Sequence, residues 1–155
     1  MTDDATIDDA IKLIVQSPDD VTMLSAFLQD GLVAHHDIHF DQSQQEVMLV
    51  VDRYRWEQDA SRRERVLMGL RIGKVTALLE KKWHRSAAPH DTALFYNLLN
   101  LAYEQRDDGT QSLCFTFSGG AALRLMVDDL MMSAGDIAPP RPAIATPEHK
   151  TSPED

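Results

Sequence analysis

The chain has 155 residues and a formal charge of −10, with 43% apolar and 26% charged residues. This composition supports one ordinary hydrophobic core, so we expect a single domain. Its apolar runs are far shorter than the roughly 20 residues that a membrane-spanning helix requires. The acidic N-terminus lacks the basic and apolar regions of a signal peptide. A single cysteine, Cys114, excludes an internal disulfide and a multi-cysteine metal site. We therefore expect a cytoplasmic protein that has no contact with a membrane.

Both ends of the chain have compositions typical of disordered segments. Residues 1–9 are acidic, and residues 138–155 contain five of the seven prolines. Such segments bury too little apolar surface to offset an ordering entropy of about 1 to 2 kcal/mol per residue. The sequence therefore predicts one globular domain over residues 10–137, between a disordered acidic N-terminus and a disordered Pro-rich tail.

A helix is predicted after a short β-branched run at residues 11–15. Ser17 can cap the free amides of the first turn, and Pro18 suits the first helical position. The apolar face of this helix is predicted to consist of Val21, Leu24 and Leu28, with Met23 and Phe27 beside them. Gly31 is the expected left-handed residue at the C-terminal end.

Alternating apolar and polar residues indicate antiparallel strands through most of the remaining chain. Three hairpins are predicted: residues 32–41 with 46–57, residues 65–72 with 75–83, and residues 113–118 with 121–127. The second turns at Gly73-Lys74, where glycine permits the positive φ of a tight turn. The third turns at Gly119-Gly120.

Residues 93–105 fit both a helical apolar stripe and a strand. The turn-like Asp107-Asp108-Gly109 and the alternating run SLCFTF favour an antiparallel strand pair, so a strand is predicted. The predicted fold is α+β, with one N-terminal helix packed on about seven or eight mostly antiparallel strands. The strands are expected to form a curled sheet or partly open barrel, because a flat sheet of this size is unusual.

Three runs of the sequence carry a family resemblance: LSAFLQDGLVAHHDIHFDQSQQEVMLVVDRYRWE, RRERVLMGLRIGKVTALLE and LCFTFSGGAALRLMV. Over roughly residues 20–130 the chain resembles the bacterial, largely alphaproteobacterial, family known as domain of unknown function 2948. The resemblance implies a small soluble bacterial protein and brings no catalytic residue.

The side chains of His35, Asp37 and His39 are of metal-ligand type and alternate along one predicted strand. Alternate residues of a strand lie about 6.5 to 7 Å apart, so His35 and His39 would be about 13 Å apart. Ligands of one metal ion converge to bond lengths of about 2 Å. We therefore predict a polar outer strand face and no metal site.

Other chemical candidates have simpler structural interpretations. Cys114 lies in an alternating apolar strand without a recognisable base, which is typical of a small core residue. Ser118-Gly119-Gly120 joins two strands, whereas phosphate-binding glycine motifs open helices. The paired aspartates fall at predicted caps and turns. The sequence therefore predicts no catalytic residue and no cofactor.

Basic residues are concentrated in one part of this acidic chain. Ten of the fifteen Lys and Arg residues lie between Arg53 and Arg85, among four acids. We call residues 53–85 the basic segment. In an alternating strand, Arg53 and Arg55 share one face and Tyr54 and Trp56 the other. The residues predicted to bind a partner are Arg53, Arg55, Arg62, Arg63, Arg65, Lys81, Lys82 and Arg85.

The preferred hypothesis is a non-enzymatic domain that binds a protein partner through the basic segment or through an open sheet edge. One alternative is a small-ligand sensor or enzyme with a pocket in the curled sheet. Another is a weak nucleic-acid binder, in which arginines contact phosphates and exposed aromatics stack on bases. The net charge opposes binding of a polyanion. The sequence leaves the oligomeric state and the role of the tail open.

Overall fold

A computed structural model describes residues 10–58, 60–83 and 95–143 of the chain. Within these ranges the protein has one α-helix and eleven strands. In chain order they are β1 (Lys12–Val15), α1 (Pro18–Leu28), β2 (Leu32–Ala34), β3 (His39–Asp41), β4 (Glu46–Tyr54), β5 (Glu64–Ile72), β6 (Val75–Lys81), β7 (Phe95–Gln105), β8 (Gln111–Phe117), β9 (Ala122–Val127), β10 (Met132–Asp136) and β11 (Arg141–Pro142).

The predicted combination of one helix with a mostly antiparallel sheet is confirmed, but the expected seven or eight strands are too few. A short 3₁₀ turn at His35–Asp37 divides the first predicted strand into β2 and β3. Strand β11 falls within the predicted Pro-rich tail, where Arg141 and Pro142 pair with Arg65 and Glu64 of β5. Residues 138–143 of the predicted tail are thus described, whereas residues 1–9 and 144–155 of the two predicted disordered ends lie outside the described residues.

The N-terminal end of α1 is capped as the sequence predicts. The Ser17 hydroxyl accepts a hydrogen bond from the Asp20 amide at 3.2 Å, and Pro18 occupies the first turn. Buried Val21, Leu24 and Leu28 form the face that packs on the sheet. Hydrogen bonds from Ser17 and from the Gln16 amide also lower the pKa of the exposed Asp20 carboxylate.

The prediction that Gly31 is the left-handed residue after α1 is wrong. Asp30 has the positive φ of 63°, and Gly31 serves a different purpose. A Cβ atom at Gly31 would lie 2.4 Å from Val51 Cγ1 and 2.9 Å from the Leu28 carbonyl oxygen. Glycine is therefore required there because the chain after α1 passes directly over strand β4.

The described strands form one antiparallel sheet that is not closed. Its order is β1-β10-β5-β4-β2-β7-β8-β9-β6, with β3 added to β4 and β11 added to β5. Strands β1 and β6 therefore lie at its two ends. The sequence correctly predicted the pairing of β7 with β8 and of β8 with β9, where Gly119 and Gly120 have φ of 76° and 84°. Of the first predicted hairpin, which the 3₁₀ turn interrupts, the pairing of β3 with β4 is observed.

The predicted hairpin of residues 65–72 with 75–83 is wrong. Strand β5 pairs with β4 and β10, whereas β6 pairs with β9 at the far end of the sheet. The connection is held by the β9–β10 loop: the Gly73 amide donates to the Met131 carbonyl at 2.8 Å, and the Lys74 carbonyl accepts from the Asp128 amide at 2.9 Å. The positive φ belongs to Lys74, at 60°. The chain therefore crosses here from β5, the third strand of the sheet order, to β6 at the far end.

Two contacts bring the free end of the sheet back towards its middle. The Val75 amide donates to the Gln45 carbonyl at 2.8 Å, and His35 Nε2 lies 3.0 Å from Glu80 Oε1. Both contacts join β6 to the segment of residues 35–45, with which it shares no strand pairing. We call the line along which β6 faces residues 35–45, without a strand ladder between them, the seam. The sheet is curled, and the seam marks where it stays open.

The inside of the curled sheet is filled by side chains. The core includes Leu24, Leu28, Leu49, Met68, Leu70, Leu98, Phe115, Phe117 and Leu125. Trp83 extends this core after β6, with ring centres 4.2 Å from Tyr96 and 4.9 Å from Phe117. Among the described residues, no helix has the length and apolar character needed to cross a bilayer.

Candidate functional site

Two residues predicted for a partner-binding surface lie in the interior. Arg53 is 0% exposed and Arg55 is 2% exposed. Arg53 continues the inward row of β4 formed by Val47, Leu49 and Val51, because side chains of a strand alternate between its faces. Neither arginine is presented at a surface in this fold, so the prediction of a surface position is wrong for both.

Arg53 is satisfied by two acids that are distant from each other in sequence. Its guanidinium donates to both carboxylate oxygens of Glu57, at 2.8 and 2.9 Å, and to both of Asp136, at 3.1 and 2.9 Å. Asp136 Oδ2 also accepts a hydrogen bond from the Ile11 amide at 2.9 Å. The cluster therefore links β4, the end of β10 and the residue that precedes β1. A charge this deep is tolerated because its donors are paired.

The electrostatics of this cluster fix its protonation. Burial acts to raise the pKa of Glu57. The hydrogen bonds from Arg53, a backbone hydrogen bond and the charges of Arg53 and Arg55 together outweigh burial and hold the pKa below its ordinary value. Burial acts to lower the pKa of Arg53, and the hydrogen bonds to Glu57 and Asp136 raise it overall. Arg53 and Glu57 are therefore both charged at neutral pH, and the cluster is a structural ion network rather than an acid–base pair.

Other arginines of the basic segment also pair with the protein's own acids. Arg55 Nη1 donates to Glu64 Oε1 at 2.6 Å, and Arg62 Nη2 lies 3.5 Å from the same oxygen. Half-buried Arg65 donates from Nε to Asp52 Oδ1 at 3.2 Å, and Arg141 pairs with the other oxygen of Asp52. Much of the positive charge counted in the sequence is thus neutralised inside the fold.

The exposed members of the predicted surface are Arg62, Arg63, Lys81 and Lys82, and Arg85 lies outside the described residues. The two arginines precede β5, whereas Lys81 ends β6 and Lys82 follows it, and these two strands do not pair with each other. Tyr54 is buried, and half-buried Trp56 donates its indole N–H to the Gln29 carbonyl at 2.8 Å. The expected row of aromatics beside arginines is therefore not an open stacking surface.

The three metal-ligand candidates His35, Asp37 and His39 do not converge on one site. His35 contacts Glu80 across the seam and lies 5.0 Å from the Trp83 ring, between ring centres, whereas His39 is exposed on β3. In the described part of the chain, no group of three or more His, Cys, Asp and Glu side chains has the geometry to hold a metal ion.

A groove of about 680 Å³ lies on the outer face of the sheet, across β1, β10, β5 and β4. Outward positions of these strands line it, chiefly Lys12, Ile14, Met48, Gly69, Arg71, Gly135 and Ile137. We call this surface the groove. It lies outside the filled core, in contrast to the predicted pocket within the curled sheet.

The depth of the groove comes from two glycines that face each other on neighbouring strands. Gly135 of β10 pairs with Gly69 of β5, so two adjacent outward positions lack a side chain. A Cβ atom at Gly135 would have its nearest neighbours at 3.9 Å, which leaves that position open. A Cβ atom at Gly69 would lie 3.2 Å from Ile137 Cγ2, so the Ile137 side chain packs against that end of the floor. Glycine within a strand marks places where another group approaches closely. This was the sequence signal for the groove, but the pairing of the two glycines depends on register that the sequence does not show.

The walls of the groove expose large apolar side chains. Ile14 is 68% exposed, Ile137 60% and Met48 41%. Single exposed apolar residues are ordinary, but their grouping around one concave surface is typical of a binding site. Each of the three belongs to a different part of the chain, so sequence analysis missed the group.

Comparison with known proteins places the chain by its sequence. No curated protein and no solved structure shows significant similarity to it. Residues 11–149 match the family described as "Protein of unknown function (DUF2948)", which covers the sheet, the helix, the Arg53 cluster and the groove. The chain therefore belongs to the DUF2948 family.

Proposed function

We propose that this protein is a non-enzymatic, cytoplasmic interaction domain that binds a partner protein through the groove. The observation that carries the proposal is the glycine-floored, apolar concavity on the outside of the sheet. Burial of apolar surface is the main favourable term in most protein association. The grouping of Ile14, Met48 and Ile137 around this concavity supplies such a surface.

The position of the groove beside strand β1 supports a protein partner. Among the strands that the structure describes, β1 ends the sheet order and pairs with β10 alone, so none of them occupies its outer backbone edge, which another strand can join. A short edge strand that carries a lysine, as β1 carries Lys12, discourages indiscriminate pairing. The side chains of the groove would therefore determine which partner binds.

A second candidate for the same function is the set of exposed basic residues Arg62, Arg63, Lys81 and Lys82, which we call the rival surface. Arg62 already contacts Gln58 and Glu64, and an exposed ion pair contributes only about 0 to 1 kcal/mol. The rival surface also lacks the apolar walls that the groove provides. We therefore assign the partner to the groove and use the rival surface as the internal comparison.

The test compares capture of proteins from a native lysate by three tagged forms of the full chain. These are the wild type, Gly135→Leu, which fills the groove, and the double variant Arg62→Glu/Arg63→Glu. All three are first shown to melt cooperatively at similar temperatures. Captured proteins are identified by mass spectrometry with and without nuclease.

The expected result is a stoichiometric protein that survives nuclease, is lost with Gly135→Leu and is retained by the double variant. Loss only with the double variant would move the site to the rival surface. Capture that both variants retain, or no captured protein, would refute binding through the groove. Loss on nuclease treatment would indicate nucleic acid instead.

The volume of the groove favours a second candidate function, a sensor of a small apolar ligand. Pockets for small molecules typically measure about 300 to 1,000 Å³, and the groove falls within that range. Native mass spectrometry of the freshly purified protein checks this function. A bound mass that is absent from Gly135→Leu would support it, and identical spectra would exclude a co-purified ligand in the groove.

A further inference from the structure

The groove carries positive charge in a protein that is otherwise strongly acidic. Lys12 lies in the same cross-strand row as the two glycines, and Arg71 lies in the next row, opposite Ser133 and Met48. Lys12 is exposed, and no hydrogen bond or ion pair with another described residue involves it. The Arg71 side chain is exposed, with a 3.7 Å ion pair to Glu46 and a 3.5 Å contact with Met48 Sδ. An exposed pair of this kind contributes only about 0 to 1 kcal/mol, so a ligand carboxylate can compete for Arg71.

The acids near the groove do not cancel these cations. Asp136 borders the groove, but both of its carboxylate oxygens are held by Arg53 on the inner side of the sheet. Asp37 also lines the groove, as His39 does, and its carboxylate contacts His36 at 3.6 Å. The groove thus offers two basic side chains around an apolar floor, and this arrangement complements an apolar group with a carboxylate beside it.

The spacing of the rows fits an extended peptide. Rows on one face of a sheet repeat about every 6.5 to 7 Å along the strand, which is also the spacing of same-face side chains in a bound strand. An extended peptide lying in the groove, over the outer face of β10, would direct alternate side chains onto the Gly135–Gly69 floor and towards Lys12 and Arg71, which lie on the strands to either side of β10. Apolar and acidic side chains of such a peptide would then meet matching positions.

Other occupants fit less well. A second copy related by a two-fold axis would bring the same surface patch, with Lys12 and Arg71, against itself. A nucleic acid would require a longer basic track or exposed aromatics for stacking, and neither lines the groove. The acidic charge of the whole chain would also repel it.

We propose that the groove binds an extended peptide segment in which an apolar side chain covers the Gly135–Gly69 floor and a neighbouring Asp or Glu pairs with Lys12 and Arg71. This inference rests on the proposed function, since it names the chemistry of the partner at the same site. Charge reversal of the two basic residues should therefore reverse the preference of the groove for its ligand.

The test selects binders from a displayed library of random twelve-residue peptides against the full chain. Parallel selections use Lys12→Glu/Arg71→Glu, Gly135→Leu and, as a control of equal charge change, Arg62→Glu/Arg63→Glu. The wild type and the control should enrich peptides with Asp or Glu next to large apolar residues. The Lys12→Glu/Arg71→Glu variant should enrich Lys or Arg at those positions and bind the acidic peptides at least tenfold more weakly. Gly135→Leu should enrich neither class.

Several results would overturn the inference. One is that Lys12→Glu/Arg71→Glu enriches the same acidic peptides as the wild type. Another is that Gly135→Leu enriches the peptides that the wild type enriches. A third is that the wild type yields no binder above the Gly135→Leu background. A self-association of the wild type in sedimentation that Gly135→Leu abolishes would assign the groove to a second copy. If the groove captures a lysate protein but selects peptides without acidic residues, the proposed function stands and only the acidic chemistry fails.

Discussion

Arg53 holds a full positive charge at the inner end of strand β4, where water does not reach it. Four hydrogen bonds to two carboxylates satisfy its fork of donors, and the guanidinium carbon lies 5.8 Å from the centre of the Phe27 ring. Buried ion pairs of this kind add little net stability over apolar replacements, but removal of one partner leaves an uncompensated charge. The cluster is therefore sensitive to single changes, and it also joins the N-terminal segment to the sheet.

Replacement of Glu57 by Gln tests the cluster. The variant loses two charge-assisted hydrogen bonds to Arg53, which keeps Asp136, so we expect a loss of about 1 to 3 kcal/mol in the free energy of unfolding at pH 7. The folded pKa of Glu57 lies below its ordinary value of 4.5. Its contribution is thus complete above that value and is lost as the pH falls through the folded pKa. Urea unfolding followed by tryptophan fluorescence, from pH 7 downward, measures the difference.

Glu104→Gln is the matched control, because Glu104 pairs with Arg124 in an exposed position at 3.3 Å. We expect this change to cost less than about 1 kcal/mol. The difference in the free energy of unfolding between the wild type and Glu57→Gln should become smaller as acid protonates Glu57. A difference that stays constant below pH 4.5 would contradict the assignment of an ionised Glu57.

The sequence allowed the alternation of Arg53 and Arg55 against Tyr54 and Trp56 to be predicted, but not which row points inward. The acid that decides the matter, Asp136, is separated from Arg53 by 83 positions. No local pattern connects them. The same holds for Gly69 and Gly135, whose pairing creates the groove. Side-chain type and strand period were thus predictable, whereas long-range partners were not.

At the scale of the elements, most were predictable because each depends on neighbouring residues. The cap of α1, the turn at Gly119-Gly120 and the strand at Phe95–Gln105 follow from local chemistry and hydrophobic period. The β5–β6 connection was not predictable. Two alternating strands around Gly73-Lys74 look the same whether they pair with each other or with separate strands. Hydrogen bonds from the β9–β10 loop determine the outcome.

The close approach of Gly31 to β4 leads to a prediction about element packing. Gly31→Ala would place a methyl group 2.4 Å from Val51 Cγ1, so the loop after α1 must shift. We expect a loss of about 1 to 3 kcal/mol in the free energy of unfolding, as for other overpacked sites. Gly135→Ala is the control, because its Cβ would meet only ordinary contacts at 3.9 Å, and it should stay within about 1 kcal/mol of the wild type. Equal destabilisation of both variants would contradict the packing argument.

At the scale of the whole molecule, the distribution of charge separates folding from binding. Several arginines of the basic segment form ion pairs within the fold, with Glu57, Glu64, Asp52 and Asp136. The cations of the groove, Lys12 and Arg71, lie outside these networks. A count of charges along the chain therefore pointed to residues that hold the fold together, while the groove requires only two basic residues at the right places on the sheet.

The seam determines how this sheet opens. Strand β6 has a hydrogen-bonded neighbour, β9, on one side, and on the other it meets residues 35–45 through the Val75–Gln45 backbone bond and the His35–Glu80 contact. Alternate amides of an antiparallel edge strand point away from its partner and lack a ladder acceptor. In hydrogen exchange followed by NMR, these β6 amides, apart from the Val75 amide that donates to Gln45, should exchange well before the amides of β8, which is paired on both sides.

Glu80→Ala should accelerate exchange in β6 further, because it removes the side-chain contact that bridges the seam, and should leave β5 unchanged. Lys81→Ala, at another exposed position of β6, is the matched control for the substitution itself. Protection of all β6 amides at the level of β8 would mean that the seam is a hydrogen-bonded ladder and that the barrel is closed. If early exchange is confined to the β6 amides that point away from β9, β6 is the strand at which the sheet opens first. This strand lies at the end of the sheet opposite β1 and the groove.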